Sequence, residues 1–143
     1  MTEIKNTEKF YYELLVKEGH LDSFGHMNNA TYLQILEEAR WEIITHKGYG
    51  IPEIQKKGIG PVILEIQIKF LREIKLREKI IIETQCVAME KKVTRLKHEI
   101  KNEQGKLCCT AEIVVGVFDT QTRKMIELPK DWLEAIGIKE IEI

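Results

Sequence analysis

The stretch Ala30-Thr-Tyr-Leu-Gln-Ile-Leu-Glu-Glu-Ala-Arg-Trp-Glu-Ile-Ile-Thr-His-Lys47 decides how this chain folds. Placed at about 100° per residue, Tyr32, Ile35, Leu36, Ala39 and Ile43 share one stripe. Leu33 and Ile44 widen it, and only Gln34, Glu38, Glu42 and Thr45 form a clearly polar arc. A helix lying on a protein surface shows a broader polar face, so this one is expected to be wrapped by other structure over most of its circumference. Asn28 or Asn29 can cap its start. His46 and Lys47 followed by Gly48 form a stop signal, with cations suited to the negative helix end.

Outward from this helix the period of the apolar residues changes. Before it, Phe10 to Val16 reads as a strand and Gly19 to Asn29 as a polar loop. After it, Gly48 to Gly60 reads as a loop carrying Pro52 and ending at Pro61. Leu64, Ile66, Ile68 and Phe70 then alternate with Glu65, Gln67 and Lys69, the pattern of a half-buried strand. Glu78 to Ala88, Val93 to Lys101 and Leu107 to Phe118 are three more strands. The turns at Met89–Lys92 and Asn102–Lys106 are short enough for antiparallel hairpins. Leu128-Pro129 closes the sheet region, and Asp131 is placed to cap a short last helix holding Trp132 and Leu133. An antiparallel sheet needs its apolar face covered, and the one long helix needs cover on most sides. A sheet curved around that helix, an α+β arrangement, satisfies both.

The 143 residues, 43% hydrophobic and 31% charged, suit a single domain over 1–143 with a real core. A net charge of -1 gives no reason to expect nucleic acid as a partner. No apolar run approaches the ~20 residues needed to span a bilayer, and Met1 to Lys9 lacks the apolar stretch of a secretory signal. The expectation is a cytoplasmic protein without a membrane partner. Cys86, Cys108 and Cys109 lie in apolar runs and show no Cys-x-x-Cys or Cys/His spacing, so buried free thiols are expected. His20, Asp22 and His26 fit no familiar ligand pattern. Neither a metal nor a cofactor is expected.

Chemistry concentrates in His20-Leu-Asp-Ser-Phe-Gly-His-Met-Asn-Asn-Ala-Thr-Tyr32. The free N–H groups of a helix start, at the positive end of the dipole, suit developing negative charge. Asp22, seven residues upstream of Asn29, can fold back toward that point through a bend at Gly25. A base or nucleophile would then face an oxyanion stabiliser, the minimum equipment for acyl transfer.

The run Asp22-x-x-Gly25-His26-x-Asn28-Asn29-x-x-Tyr32, followed by Leu-Gln-Ile-Leu-Glu37-Glu38-Ala39-Arg40, resembles the 4-hydroxybenzoyl-CoA thioesterase family of hotdog proteins. The resemblance implies a hotdog fold, an antiparallel sheet wrapped around one long central helix, and hydrolysis of an acyl-CoA to free acid and CoA. It implies that Asp22 is the general base or nucleophile and that the Asn29 backbone N–H polarises the thioester carbonyl. Gly25 and His26 correspond to the bend, and Asn28, Tyr32 and Glu37 to positions around the substrate. It also implies a site between subunits, hence a homodimer or homotetramer. Long branched edge strands, which tend to pair, point the same way.

Each residue has a plainer competitor. Asp22 can be a turn aspartate, and Asn28 and Asn29 simple caps. His98 sits on an apolar strand face and is expected to be packed rather than catalytic. Glu37, at the edge of the apolar stripe, needs a partner; Arg40, three residues on, is a candidate. Two basic clusters, Lys91/Lys92/Arg95 and Arg72/Lys75/Arg77, are either solvated surface or contacts for the phosphates of CoA. The hairpin cluster Lys91, Lys92 and Arg95 is the one expected to bind. Two other functions stay open: hydrolysis of acyl chains on acyl carrier protein, and an acyl-CoA-binding hotdog protein without catalysis. A hydratase is disfavoured, because its Asp-x-Asn-x-x-x-His type of motif is absent.

Overall fold

The computed structural model describes residues 1–139. Strands β1 (Thr2–Glu3) and β2 (Lys9–Leu15) lead through a 3-10 turn (Glu18–His20) to helix α1 (Asn29–His46) and a short helix α2 (Ile51–Lys57). Four long strands follow: β3 (Ile59–Phe70), β4 (Lys79–Met89), β5 (Val93–Lys101) and β6 (Leu107–Asp119). The short β7 (Lys124–Ile126) and helix α3 (Lys130–Ala135) come last. The sheet has the order β1-β4-β5-β6-β3, with β2 also on β4 and β7 on β6, and every pairing is antiparallel. This is the α+β arrangement expected from the sequence, a curved sheet packed on one long helix. None of the described helices is long and apolar enough to cross a membrane.

The period-two pattern explains why the sheet has one wet and one dry face. In β4 and β5 alternate residues are buried, among them Ile80, Ile82, Cys86, Leu96 and Ile100. They meet Tyr32, Ile35, Leu36, Ala39 and Ile44 of α1 in a common core. All three cysteines are buried and free, as the sequence suggested. Burial pushes the Cys86 and Cys109 thiols up to about 11, so both stay protonated at neutral pH.

Four local expectations need correction. The loop between Gly48 and Gly60 contains α2. Pro52 sits in its first turn, where a missing N–H costs nothing, and Gly58 ends it at φ 69°, a left-handed cap. The proline and glycines that suggested a loop are the punctuation of a short helix. The last helix is capped at Pro129 rather than Asp131; the Asp131 carboxylate accepts from Trp132 N–H and pairs with Lys57 Nζ at 2.6 Å. The long helix has a wider open side than its sequence implied, because Glu37 joins Gln34, Glu38, Glu42 and Thr45 in solvent. Finally, of the four apolar residues that alternate in β3 only Ile68 packs against the core, and the other three stay exposed. Leu64 is 49% exposed, Ile66 41% and Phe70 48%. A bulge between Ile63 and Glu65 shifts the register there, and among the described residues β3 pairs with β6 alone.

Candidate active site

The segment Leu21–Asn28 is a loop that closes on itself through Asp22. The Asp22 N–H donates to His26 O at 2.9 Å, and Gly25 N–H donates to Asp22 O at 3.0 Å. Carboxylate oxygen Oδ1 accepts from the N–H groups of Phe24 (2.9 Å) and His26 (3.1 Å). Gly25 makes the bend possible, since its φ of 81° lies where a side chain is strained. Met27 is buried and ties the loop to the core. Asp22 is thus both the turn aspartate of the plainer reading and a presented carboxylate. Oδ1 holds the loop, while Oδ2 has no protein partner among the described residues.

Helix α1 starts directly after this loop. Asn28 is the cap, its Oδ1 accepting from Thr31 N–H at 3.0 Å and Thr31 Oγ1–H at 3.2 Å. The Asn28 carbonyl takes the N–H groups of Thr31 and Tyr32. The N–H groups of Asn29 and Ala30 are left without an acceptor among the described residues, and both residues are exposed. Two free donors at the positive end of an 18-residue helix are chemically suited to receive negative charge.

A recess of about 380 Å³ opens beside this helix start, with His26, Asn29, Tyr32, Phe70, Arg72 and Glu73 in its wall. Tyr32 is buried and meets Phe70 edge-on, ring centroids 4.9 Å apart. Burial raises its hydroxyl pKa above the usual tyrosine value. The exposed His26 has Nδ1 3.4 Å from Glu73 Oε1. The 3-10 turn that precedes the loop is braced to the β3–β4 connection by Arg77, whose Nε and Nη2 reach the Glu18 carboxylate at 2.9 and 2.6 Å.

A second cavity, about 240 Å³ and mostly apolar, lies further along α1 against the sheet. Glu37 reaches it, but not paired with Arg40 as the helical spacing suggested. Glu37 Oε1 instead accepts from Trp41 Nε1–H at 3.3 Å. Arg40 turns toward the sheet, because a buried imidazole there needs a donor: Arg40 Nη1 lies 3.0 Å from His98 Nε2. His98 is fully buried, packed as expected, with Nδ1 2.8 Å from Thr84 Oγ1. Desolvation, then the Arg40 charge, pushes its pKa down to about 3.

Asp22, Gly25, His26, Asn28, Asn29 and Tyr32 are therefore brought to one end of α1, with Glu37 two turns further on. The hairpin cations are not part of this group within one chain. Lys91 pairs with Glu127 at 3.1 Å, Arg95 lies 3.8 Å from Glu112, and Lys92 is exposed. They follow the far end of β4, whose 11 residues span roughly 33 Å from the end that adjoins the motif loop. Arg72 is the cation at the recess, marked in the sequence only as a member of the second cluster. The Arg40–His98–Thr84 chain had no distinctive signal, because the three residues come from three separate elements.

Residues 16–136 match the model of the Thioesterase-like superfamily. Long-chain acyl-CoA thioesterase FadM of Escherichia coli is 29% identical over 125 residues, covering 87% of this chain and 94% of its own. The L-carnitine dehydrogenase/betainyl-CoA thioesterase of Agrobacterium fabrum is also 29% identical over 87% of this chain, which matches only 26% of that longer protein. Among solved structures, DHNA-CoA thioesterase of Staphylococcus aureus superposes with TM-score 0.79 at 25% identity, covering 89% of this chain and 87% of its own. SAV2348 of the same organism, solved with CoA, gives TM-score 0.84 at 19% identity, covering 96% and 90%. The match along most of the chain, the seven-stranded sheet and the helix-start loop agree: this chain belongs to the Thioesterase-like superfamily and has the hotdog fold of thioester hydrolases.

Proposed function

We propose that this protein hydrolyses the thioester of an acyl-CoA, releasing a free acid and CoA. The observation that carries the reading is the Asp22 loop set directly before a helix whose first two N–H groups lack an acceptor. The thioester carbonyl oxygen accepts from the Asn29 N–H, which stabilises the negative charge of the tetrahedral intermediate. Asp22 Oδ2 either takes a proton from the attacking water or attacks the carbonyl carbon itself. In either route the C–S bond breaks and the thiolate of CoA leaves and is reprotonated; in the second, water then hydrolyses the acyl–aspartate anhydride, releasing the acid and restoring Asp22. Gly25 and His26 shape the loop, Asn28 holds the donors in place, and Tyr32 and Glu37 line the path of the acyl group. Relatives whose names specify acyl-CoA substrates support the choice of thioester.

The active unit is a homodimer at least. The open edge of β3 and its exposed Leu64, Ile66 and Phe70 favour a second copy as cover. A dimer also offers a route for Lys91, Lys92 and Arg95 of one copy to meet CoA phosphates bound at the other.

Thiol release from a panel of acyl-CoAs tests the reading. Asp22→Asn keeps the carboxamide oxygen for the loop N–H groups but cannot accept a proton. It lowers kcat by orders of magnitude with the circular dichroism spectrum unchanged. Near-normal turnover in that variant removes Asp22 from the mechanism. Single turnover in ¹⁸O-water separates the two routes: label enters the product directly for a base, and the aspartate for a nucleophile.

A further inference from the structure

The apolar cavity along α1 has polar groups that do not suit a plain hydrocarbon occupant. Ile43, Ile44, Ile63 and Val115 give it an apolar wall, yet Arg40 reaches it as well. A guanidinium offers five N–H donors. Among the described residues Arg40 makes one side-chain hydrogen bond, to His98 Nε2, and no ion pair. Desolvation lowers its pKa below the ordinary arginine value, yet the group stays charged at neutral pH. Glu37, the one carboxylate in the wall, is held by Trp41 and lies beyond ion-pair distance of Arg40. Thr84 is committed to His98.

Arg40 thus brings unused donors to an apolar cavity whose one carboxylate, Glu37, does not pair with it. In a mostly apolar cavity, a charge-assisted hydrogen bond from the guanidinium to an incoming oxygen atom is stronger than one between neutral groups. We infer that this cavity takes the distal part of an acyl chain bearing an oxygen acceptor, a carboxylate or a hydroxyl, and that Arg40 is the residue that selects it. That the ligand is an acyl group rests on the thioesterase reading. The scale is consistent. Arg40 lies eleven residues along α1 from Asn29, roughly 16 Å on, so the acceptor sits far from the thioester, on a long chain.

The test uses esters without CoA: monomethyl dodecanedioate, methyl 12-hydroxydodecanoate and methyl dodecanoate. Binding is followed by the fluorescence of Trp41 and Trp132, the protein's two tryptophans, both in the cavity wall. A polar group normally weakens binding to an apolar cavity, so a gain is diagnostic. Both oxygenated esters bind about tenfold or more tighter than methyl dodecanoate, the size of one charge-assisted hydrogen bond. Arg40→Met abolishes that preference while methyl dodecanoate binds as before; Arg40→Lys keeps part of it. The order of the two oxygenated esters identifies the acceptor class. Equal binding of all three esters by wild type, no binding of any, or a preference that survives Arg40→Met overturns the inference. A preference as stated, with no thiol release from any acyl-CoA, sinks the thioesterase reading and leaves the selectivity of Arg40 standing.

Discussion

Arg40 and His98 meet across the core, Nη1 of the guanidinium 3.0 Å from Nε2 of the imidazole. An arginine can only donate, so Nε2 is the acceptor and the His98 proton sits on Nδ1, donated to Thr84 Oγ1 at 2.8 Å. The neutral tautomer is fixed from both sides. Burial, and then the guanidinium that a proton on Nε2 would face, push its pKa down to about 3.

This arrangement sets a pH dependence of stability. In the unfolded chain His98 takes up a proton as pH falls through about 6.5, whereas in the folded protein it does so only near 3. The contribution is complete above pH 6.5 and is lost as pH falls from there toward 3, at up to about 1.4 kcal/mol per pH unit. Urea unfolding at pH 7.5, 6 and 5 measures it. Wild type loses stability faster than His98→Gln over this range, and parallel curves for the two proteins refute the assignment.

The exposed side of β3 predicts assembly. Its Ile66 and Phe70, opposite the buried Ile113 and Cys109, are 41% and 48% exposed, an apolar surface that a second copy would cover. Ile66→Lys is expected to convert a sedimenting dimer to a monomer with the sheet spectrum retained. Wild type that sediments as a monomer at micromolar concentration defeats this prediction outright.

Much of this molecule was legible in its sequence. The alternation in β4 and β5 and the Asn28-to-Gly48 frame of α1 were local signals, and the structure keeps them within a residue or two. The short α2 was hidden because Pro52 and Gly58 serve helix ends as readily as loops. The open β3 was hidden because alternation reports which residues should be covered, not whether the same chain covers them. At the site, the motif loop was readable as one contiguous run. Arg40, His98 and Thr84 come from α1, β5 and β4, and only the folded sheet places them together.

The Asn28 cap predicts a linked loss of stability and activity. Asn28→Ala removes the acceptor of Thr31 N–H and costs about 1 kcal/mol. It also loosens the turn that aims the Asn29 N–H. Asn28→Asp, which retains the acceptor, preserves both. Melting temperature and kcat measured together check this. A lowered melting temperature with unaltered kcat would show that the cap is only structural.

The hairpin lysines give the last prediction. Lys91 and Lys92 are exposed, and Lys91 has one carboxylate partner, Glu127 at 3.1 Å. An exposed pair of this kind adds little to stability, so replacing both lysines by alanine leaves the melting temperature within a degree or two. Phosphate contacts to the nucleotide end of CoA are the same in ground and transition states. Their loss therefore raises KM several-fold and leaves kcat unchanged. The salt dependence of KM also weakens, since fewer charges are being screened. A short acyl thioester of N-acetylcysteamine lacks those phosphates and responds to neither change. Within one chain the hairpin lies roughly 33 Å of strand away from the Asp22 loop, so the effect requires the second copy. Combining the lysine changes with Ile66→Lys distinguishes the routes: in a monomeric background the KM effect disappears. An equal response of both substrates to the lysine changes assigns these residues to assembly instead.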